Sequence, residues 1–264
     1  MPARYAIYYA PPEGGALCAF GRRWFGDNCV RSDGVPGFSR GRLSALTASS
    51  RNYGFHATLK APFRLANATS SEELCEALAT FARQQAPAPA PPLRLTAIGT
   101  FLALVPRGPA PAVDRLAEGC VRAFERFRAP PTHAELAHRR AARLSRSQAA
   151  LLARWGYPHV MEQFRFHLTL TDPIPRSAER CAITQRVLPL VTPFGRAPFR
   201  IDQICLYRQD QSGQSFGIEQ RFRLRGTHPA MNASVDPSSP VPIERAKVEK
   251  ARMTLVGTQT ASPC

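Results

Sequence analysis

The sequence predicts an α+β fold made of two similar halves, and three observations carry that prediction. Strand-like and helix-like segments recur in the same order in both halves. A five-residue pattern, Phe-His-x-Thr-Leu, occurs once in each. Between the halves lies a long stretch with helical periodicity.

The elements follow in order along the 264 residues. Arg4 to Tyr9 alternates like a strand and is closed by Pro11-Pro12. Loops are expected over 26–42, rich in Gly, Asp and Ser. Tyr53 to Lys60 is read as a second strand, closed by Pro62. Ser70-Ser71-Glu72-Glu73 supplies a cap and early acids for a helix carrying Leu74, Leu78 and Phe81. The Ala/Pro stretch 86–92 is an extended linker, and Leu93 to Val105 forms two short strands around Gly99. Apolar residues at 113, 116, 120, 121, 124 and 127 mark a helix, Pro130-Pro131 breaks it, and a second helical stretch spans about 134–155. Then the order returns: strand at 163–171, helix at 177–190, strands at 199–207 and 216–224 joined at Ser212-Gly213. The compact part thus spans 1–226, with a first lobe to about 110, a helical insertion over about 111–160 and the remainder over 161–226. Residues 227–264, dominated by Pro, Ser, Thr and Ala, are read as a disordered tail.

Composition narrows the function classes. A hydrophobic fraction of 44% with 9% aromatics belongs to a globular protein. No apolar run is long enough for a bilayer, and the start lacks a signal-peptide core, so a soluble cytoplasmic protein without a membrane partner is expected. Seven scattered cysteines without a C-x-x-C pair are read as reduced thiols rather than a disulfide framework or zinc site. The net charge of +16 comes almost entirely from Arg, with Lys only at 60, 247 and 250. It favours an anionic ligand, and an Arg, Ala and Pro bias also follows from GC-rich coding. Nucleic acid, nucleotides and small sugar phosphates would all be drawn in, and RNA is not favoured among them, because few aromatics are flanked by basic residues.

The chemistry lies in the repeat. Phe55-His56-Ala57-Thr58-Leu59 and Phe166-His167-Leu168-Thr169-Leu170 match at four of five positions, a coincidence expected on the order of one time in a million. Alternate residues of a strand share a face. His56, Thr58 and Lys60 therefore point one way and Phe55, Ala57 and Leu59 the other. Arg165, His167, Thr169 and Thr171 likewise oppose Phe166, Leu168 and Leu170. Two such faces across one groove bring together two imidazoles and two hydroxyls, with Lys60, Arg165 and Thr171 as supporting groups. In-line displacement at phosphorus needs a base on one side and an acid on the other, and histidine can serve as either. The hydroxyls and a cation can hold the non-bridging oxygens. Neither metal nor cofactor is expected.

These motifs resemble the two-histidine (2H) phosphoesterase superfamily. The segments Arg4–Pro12, Tyr53–Phe63 and Leu152–Pro158 are similar to its branch encoded in bacterial phosphonate-utilisation operons. The resemblance covers Met1 to Gly226 and implies two ferredoxin-like lobes with a groove between them. It also implies hydrolysis of a cyclic phosphodiester, with a phosphoribosyl or nucleotide cyclic phosphate as substrate. His56, Thr58, His167 and Thr169 become the catalytic set, with His167 provisionally the base and His56 the acid. The histidines stand 111 positions apart, so 132–160 is an insertion relative to compact members. It offers Arg139, Arg143 and Tyr157 to a phosphate, or else a solvated arginine face on a packing helix. His133, His138 and His159 are expected at the surface. Two other readings remain open: an enzyme of RNA ends, acting on 2′,3′-cyclic phosphates or 2′-5′ linkages, and a non-catalytic nucleotide- or RNA-binding module.

Overall fold

A computed structural model of the chain describes residues 2–26, 34–132, 135 and 144–227. Its centre is β1 (Arg4–Tyr9), buried on both faces. Tyr5, Ile7 and Tyr9 enter the main core, while Ala6 and Tyr8 pack with Cys205, Tyr207 and Phe216 on the far side. The alternation legible in the sequence is thus real, but both faces are covered. That is the position of a central strand.

β1 pairs antiparallel with β2 (Ala57–Arg64) on one side and β8 (Gln203–Gln209) on the other, and β9 (Gly217–Arg223) completes the order β2-β1-β8-β9. A second sheet has the order β4-β5-β6, from Leu93–Ile98, Phe101–Pro106 and Leu168–Thr169. A two-stranded ladder joins β3 (Ala88–Ala90) to β7 (Phe199–Ile201). All these pairings are antiparallel, and six helices accompany them among the described residues: α1 (Ala16–Phe25), α2 (Arg40–Leu46), α3 (Ser71–Gln84), α4 (Pro111–Ala123), α5 (Arg146–Trp155) and α6 (Ser177–Val191). The fold is α+β.

Several elements match the expectations closely. α3 begins at a full capping box, with the Ser70 side chain accepting from the Glu73 N–H and the Glu73 carboxylate accepting from the Ser70 N–H. Gly99, at φ 58°, turns β4 into β5.

Others differ for physical reasons. β2 starts after His56 and runs on through Pro62. As an edge strand it tolerates a residue without an N–H, and its register with β1 shifts at that point. The supposed linker 86–92 contains β3. The second motif contributes only two residues to its strand. The 199–207 segment divides at Asp202 into β7 and β8. Of the helical stretch over about 134–155, the described residues show helix at Glu135 and in α5. Arg139 and Arg143 lie outside the described residues, as does the segment 228–264 read as a tail. Cys18, Cys75, Cys120 and Cys205 are free thiols, whereas Cys181 is disulfide-bonded, against the expectation of uniformly reduced cysteines. No helix among the described residues is long and apolar enough to cross a membrane.

The strands do not divide the chain at its middle. The four-stranded sheet takes β1 and β2 from the first part and β8 and β9 from the last, while the three-stranded sheet joins β4 and β5 to β6. This exchange brings the two copies of the motif together.

Candidate active site

The first motif hangs from a 3-10 turn at Ser50–Tyr53. Gly54 follows at φ 66°, ψ −175°, a backbone conformation that strains any residue with a Cβ. That conformation aims the Gly54 carbonyl at the residue two further on: His56 Nδ1 lies 2.9 Å from Gly54 O. The second motif reproduces the device, with His167 Nδ1 at 2.7 Å from Arg165 O. A carbonyl oxygen only accepts, so Nδ1 carries the proton in both rings and Nε2 is left for chemistry. Thr58 Oγ1 stands 3.4 Å from His56 Nε2.

Both copies are pinned to the same framework. The Asp172 carboxylate, just past the second motif, accepts from the N–H groups of Ser49 and Ser50 at 2.7 and 2.8 Å. It thereby ties the end of one motif to the turn that launches the other. Trp24 Nε1 donates to Leu170 O at 2.6 Å. Phe55, one residue before His56, lies against Gly21 of α1, where a Cβ would come within 2.3 Å of its ring. The apolar faces are buried as the spacing requires: Ala57, Leu59, Phe166, Leu168 and Leu170 are all in the core.

The two imidazoles sit in different surroundings. Tyr8 stacks on His56 with ring centroids 4.0 Å apart, and Tyr53 and Tyr207 stand at 6.0 and 6.2 Å. Burial among these rings lowers the His56 pKa to about 4, against the bond from Gly54 that favours the cation, and the nearby His167 lowers it further. His167 is more open, 5.9 Å from Phe101, and forms part of the wall of a groove of about 540 Å³. Thr58 of the first motif faces the same groove, along with Tyr157, His159, Phe164 and Arg165. His56 and Thr169 do not line it. His56 adjoins it through Thr58, and Thr169 is partly exposed beside β5, opposite Ala103.

The supporting residues divide. Arg165 and Tyr157 line the groove. Lys60 does not: its ammonium is buried, donating to Glu125 at 2.8 Å and to Val121 O at 3.1 Å. Glu125 also pairs with Arg128. Thr171 is buried too, its hydroxyl accepting from the Leu102 N–H at 3.0 Å and so completing the backbone bonding of β5. Both are corrected from ligand-binding to framework residues. His159, expected as a surface residue without a role, is solvent-exposed but lines the groove beside His167, eight residues before it in sequence. It lacks the Thr partner of the motif, and nothing in its spacing marked it out. Among the described residues, no group of three or more His, Cys, Asp or Glu could hold a metal ion.

A family model described as "Protein of unknown function (DUF1045)" matches residues 58–217, more than half of the chain. The chain belongs to the DUF1045 family. Two curated relatives of this DUF1045 protein carry the name ribose 1,5-bisphosphate phosphokinase PhnN. The one from Janthinobacterium sp. (strain Marseille) is 37% identical over 231 residues, covering 84% of this chain and 51% of the relative. The one from Laribacter hongkongensis (strain HLHK9) is 36% identical over 225 residues, covering 81% and 50%. The DUF1045 chain therefore spans about half the length of the curated relatives it matches. Among solved structures, a crystal structure titled as a phosphoesterase overlaps at a TM-score of 0.40 with 14% identity. E. coli LigT complexed with 3′-AMP overlaps at 0.41 with 16%. Each comparison covers 85% of this chain and 99% of the other. Both overlaps are loose and carry no weight for function.

Proposed function

We propose that the protein is a phosphodiesterase that opens a cyclic phosphodiester by acid–base catalysis between His56 and His167. The carrying observation is the matched pair of Nδ1–carbonyl bonds, which fixes one tautomer in both rings and leaves two Nε2 atoms for proton transfer. Its electrostatics support the reverse of the provisional assignment of roles. A base must be neutral, and burial among tyrosines holds His56 neutral. His56 takes a proton from water as its oxygen attacks phosphorus. His167, at the open wall, gives a proton to the departing ring oxygen. The P–O bond of the ring breaks, the bond from water forms, and the product is a phosphomonoester. Thr58 and Thr169 donate to the non-bridging oxygens as charge grows there.

The substrate class follows from the groove and from the relatives. Phe101, Tyr157 and Phe164 offer apolar ring surface next to cations, which suits a sugar or nucleoside phosphate. The name carried by the relatives concerns a ribose bisphosphate, and it supports our choice of a phosphoribosyl cyclic phosphate as the first substrate to test. The chain spans only about half the length of those relatives, so the kinase reaction in their name is not carried over to it. This chain has no Gly-Lys pair with which to build a phosphate-cradling kinase loop.

The test incubates the protein with a ribose 1,2-cyclic phosphate and with 2′,3′-cyclic nucleotides and follows the products by ³¹P NMR. Ring opening is expected, unaffected by EDTA. His56→Ala and His167→Ala are each expected to lose turnover by about 10²–10⁴-fold while remaining folded. Wild-type rates in either variant, or a cyclic phosphate that binds and stays intact, would refute the reading.

A further inference from the structure

The groove wall gathers basic side chains and, among the described residues, holds no carboxylate to neutralise them. His167, His159 and Arg165 all face it, and no Asp or Glu lines it. Arg165 has no carboxylate partner among the described residues, unlike Arg64, Arg128 and Arg208, which are ion-paired. The fields of the three groups overlap. Burial disfavours the His159 cation first, and the charges of His167 and Arg165 disfavour it further. A cyclic phosphodiester brings a single negative charge to the reacting end, beside His167 and Thr58.

The other two groups are held in place for a second charge. Arg165 is fixed at its backbone, since its carbonyl accepts from His167 Nδ1. His159 is flanked by Val160, which is buried against Val121 and Leu151 and so anchors this loop to α4 and α5. The Tyr157 ring meets the His159 ring edge-on at 5.6 Å. Gln148 and Gln163 add polar side chains to the same wall.

We infer that His159 and Arg165 form a second anion subsite, which binds a non-reacting phosphate monoester carried by the substrate at the end remote from the cyclic ester. The substrate class is accordingly a cyclic phosphodiester of a phosphorylated sugar, with at least two phosphates. This inference rests on the phosphodiesterase reading and narrows it. A guanidinium beside an imidazole N–H suits a phosphate monoester, because the planar guanidinium donors can engage two of its oxygens at once while the ring N–H donates to the third.

The experiment compares ribose 1,2-cyclic phosphate with its 5-phosphorylated counterpart. The wild-type protein is expected to favour the phosphorylated substrate by about tenfold or more in kcat/KM, chiefly through KM. Arg165→Ala and His159→Ala are each expected to lower that ratio by about tenfold, the scale of a lost charge-assisted hydrogen bond. Arg165→Lys should keep part of it. A wild-type ratio near one, or a ratio that survives both alanine substitutions, would overturn the subsite. Calorimetry with adenosine 2′,5′-bisphosphate and adenosine 2′-monophosphate separates this from the catalytic reading. Tighter binding of the bisphosphate that depends on Arg165 and His159, without turnover of any cyclic ester, would sink the phosphodiesterase and leave the subsite standing. Turnover of both substrates without discrimination would do the reverse.

Discussion

The acid–base behaviour of His56 is set by its contacts rather than by its residue type. A tyrosine face at 4.0 Å replaces water, the Gly54 carbonyl holds Nδ1–H, and His167 repels a cation. In the free protein Nε2 therefore stays unprotonated down to about pH 4, where an ordinary histidine charges near 6.5. Two measurements follow from this one shift. With His56 as base, the acid limb of kcat/KM is expected near pH 4 rather than near 6.5, because that limb reports the free enzyme. Folding should respond in the same window. The unfolded chain binds the proton first as pH falls, so the stability due to a neutral His56 is complete above about 6.5 and declines between about 6.5 and 4. Denaturant titrations across that range should show the decline in the wild type and a flatter profile in His56→Asn. An acid limb at 6.5, with identical profiles in both proteins, would return His56 to the acid role.

Among the elements, β2 shows how one strand serves chemistry and framework at once. Its first residues follow His56, and its fourth, Lys60, leaves the active face to meet Glu125 after α4, with Arg128 on the other side of that carboxylate. Burial pushes the Lys60 ammonium below its usual pKa while Glu125 supports the charge. For Glu125, burial works against the carboxylate, but Arg128 and Lys60 outweigh it and hold its pKa down. Removing one member of such a buried pair costs about 3–5 kcal/mol because the other is left unpaired. Glu125→Ala, which strands the ammonium, is expected near that loss in chemical denaturation. Lys60→Met, which leaves Glu125 with Arg128, should lose less and keep kcat/KM within about threefold when assayed well below its melting point. A fall of a hundredfold in Lys60→Met with unchanged stability would restore Lys60 to the active site.

The alternation of residues in this strand was legible in the sequence, and it correctly buried Ala57 and Leu59. It could not show that the third polar residue has its own partner 65 positions away. Thr171 escaped for the same reason, since Leu102 claims its hydroxyl. The repeat itself needed no partner information, which is why it could single out His56, Thr58 and His167 as candidates that the fold then sets at or beside one groove. His159 carries no repeat and enters the groove only through the packing of Val160.

At the scale of the molecule, the exchange of strands makes the site a property of the whole chain. β1 depends on β8 for one entire edge, through the pairs from Arg4 with Gln209 to Tyr8 with Cys205. Among the described residues, β6 has its ladder partner only in β5. Trp24, buried in the first half, gives its N–H to Leu170 in the second. A fragment ending near residue 110 would keep β1, β2, β4 and β5 but expose the edge of β1 and the apolar faces that meet Leu168, Ile204 and Leu206. Burial of apolar area is the main favourable contribution to folding, and half of this core comes from beyond the cut. Fragments 1–110 and 111–227, made separately, are therefore expected to show no cooperative thermal transition. Mixing them should restore one, together with the blue-shifted emission of a buried Trp24 and any ring-opening activity. Cooperative melting of 1–110 alone would mean that each lobe is a self-sufficient unit, and the two histidines would then be brought together by docking two finished domains rather than by one continuous act of folding.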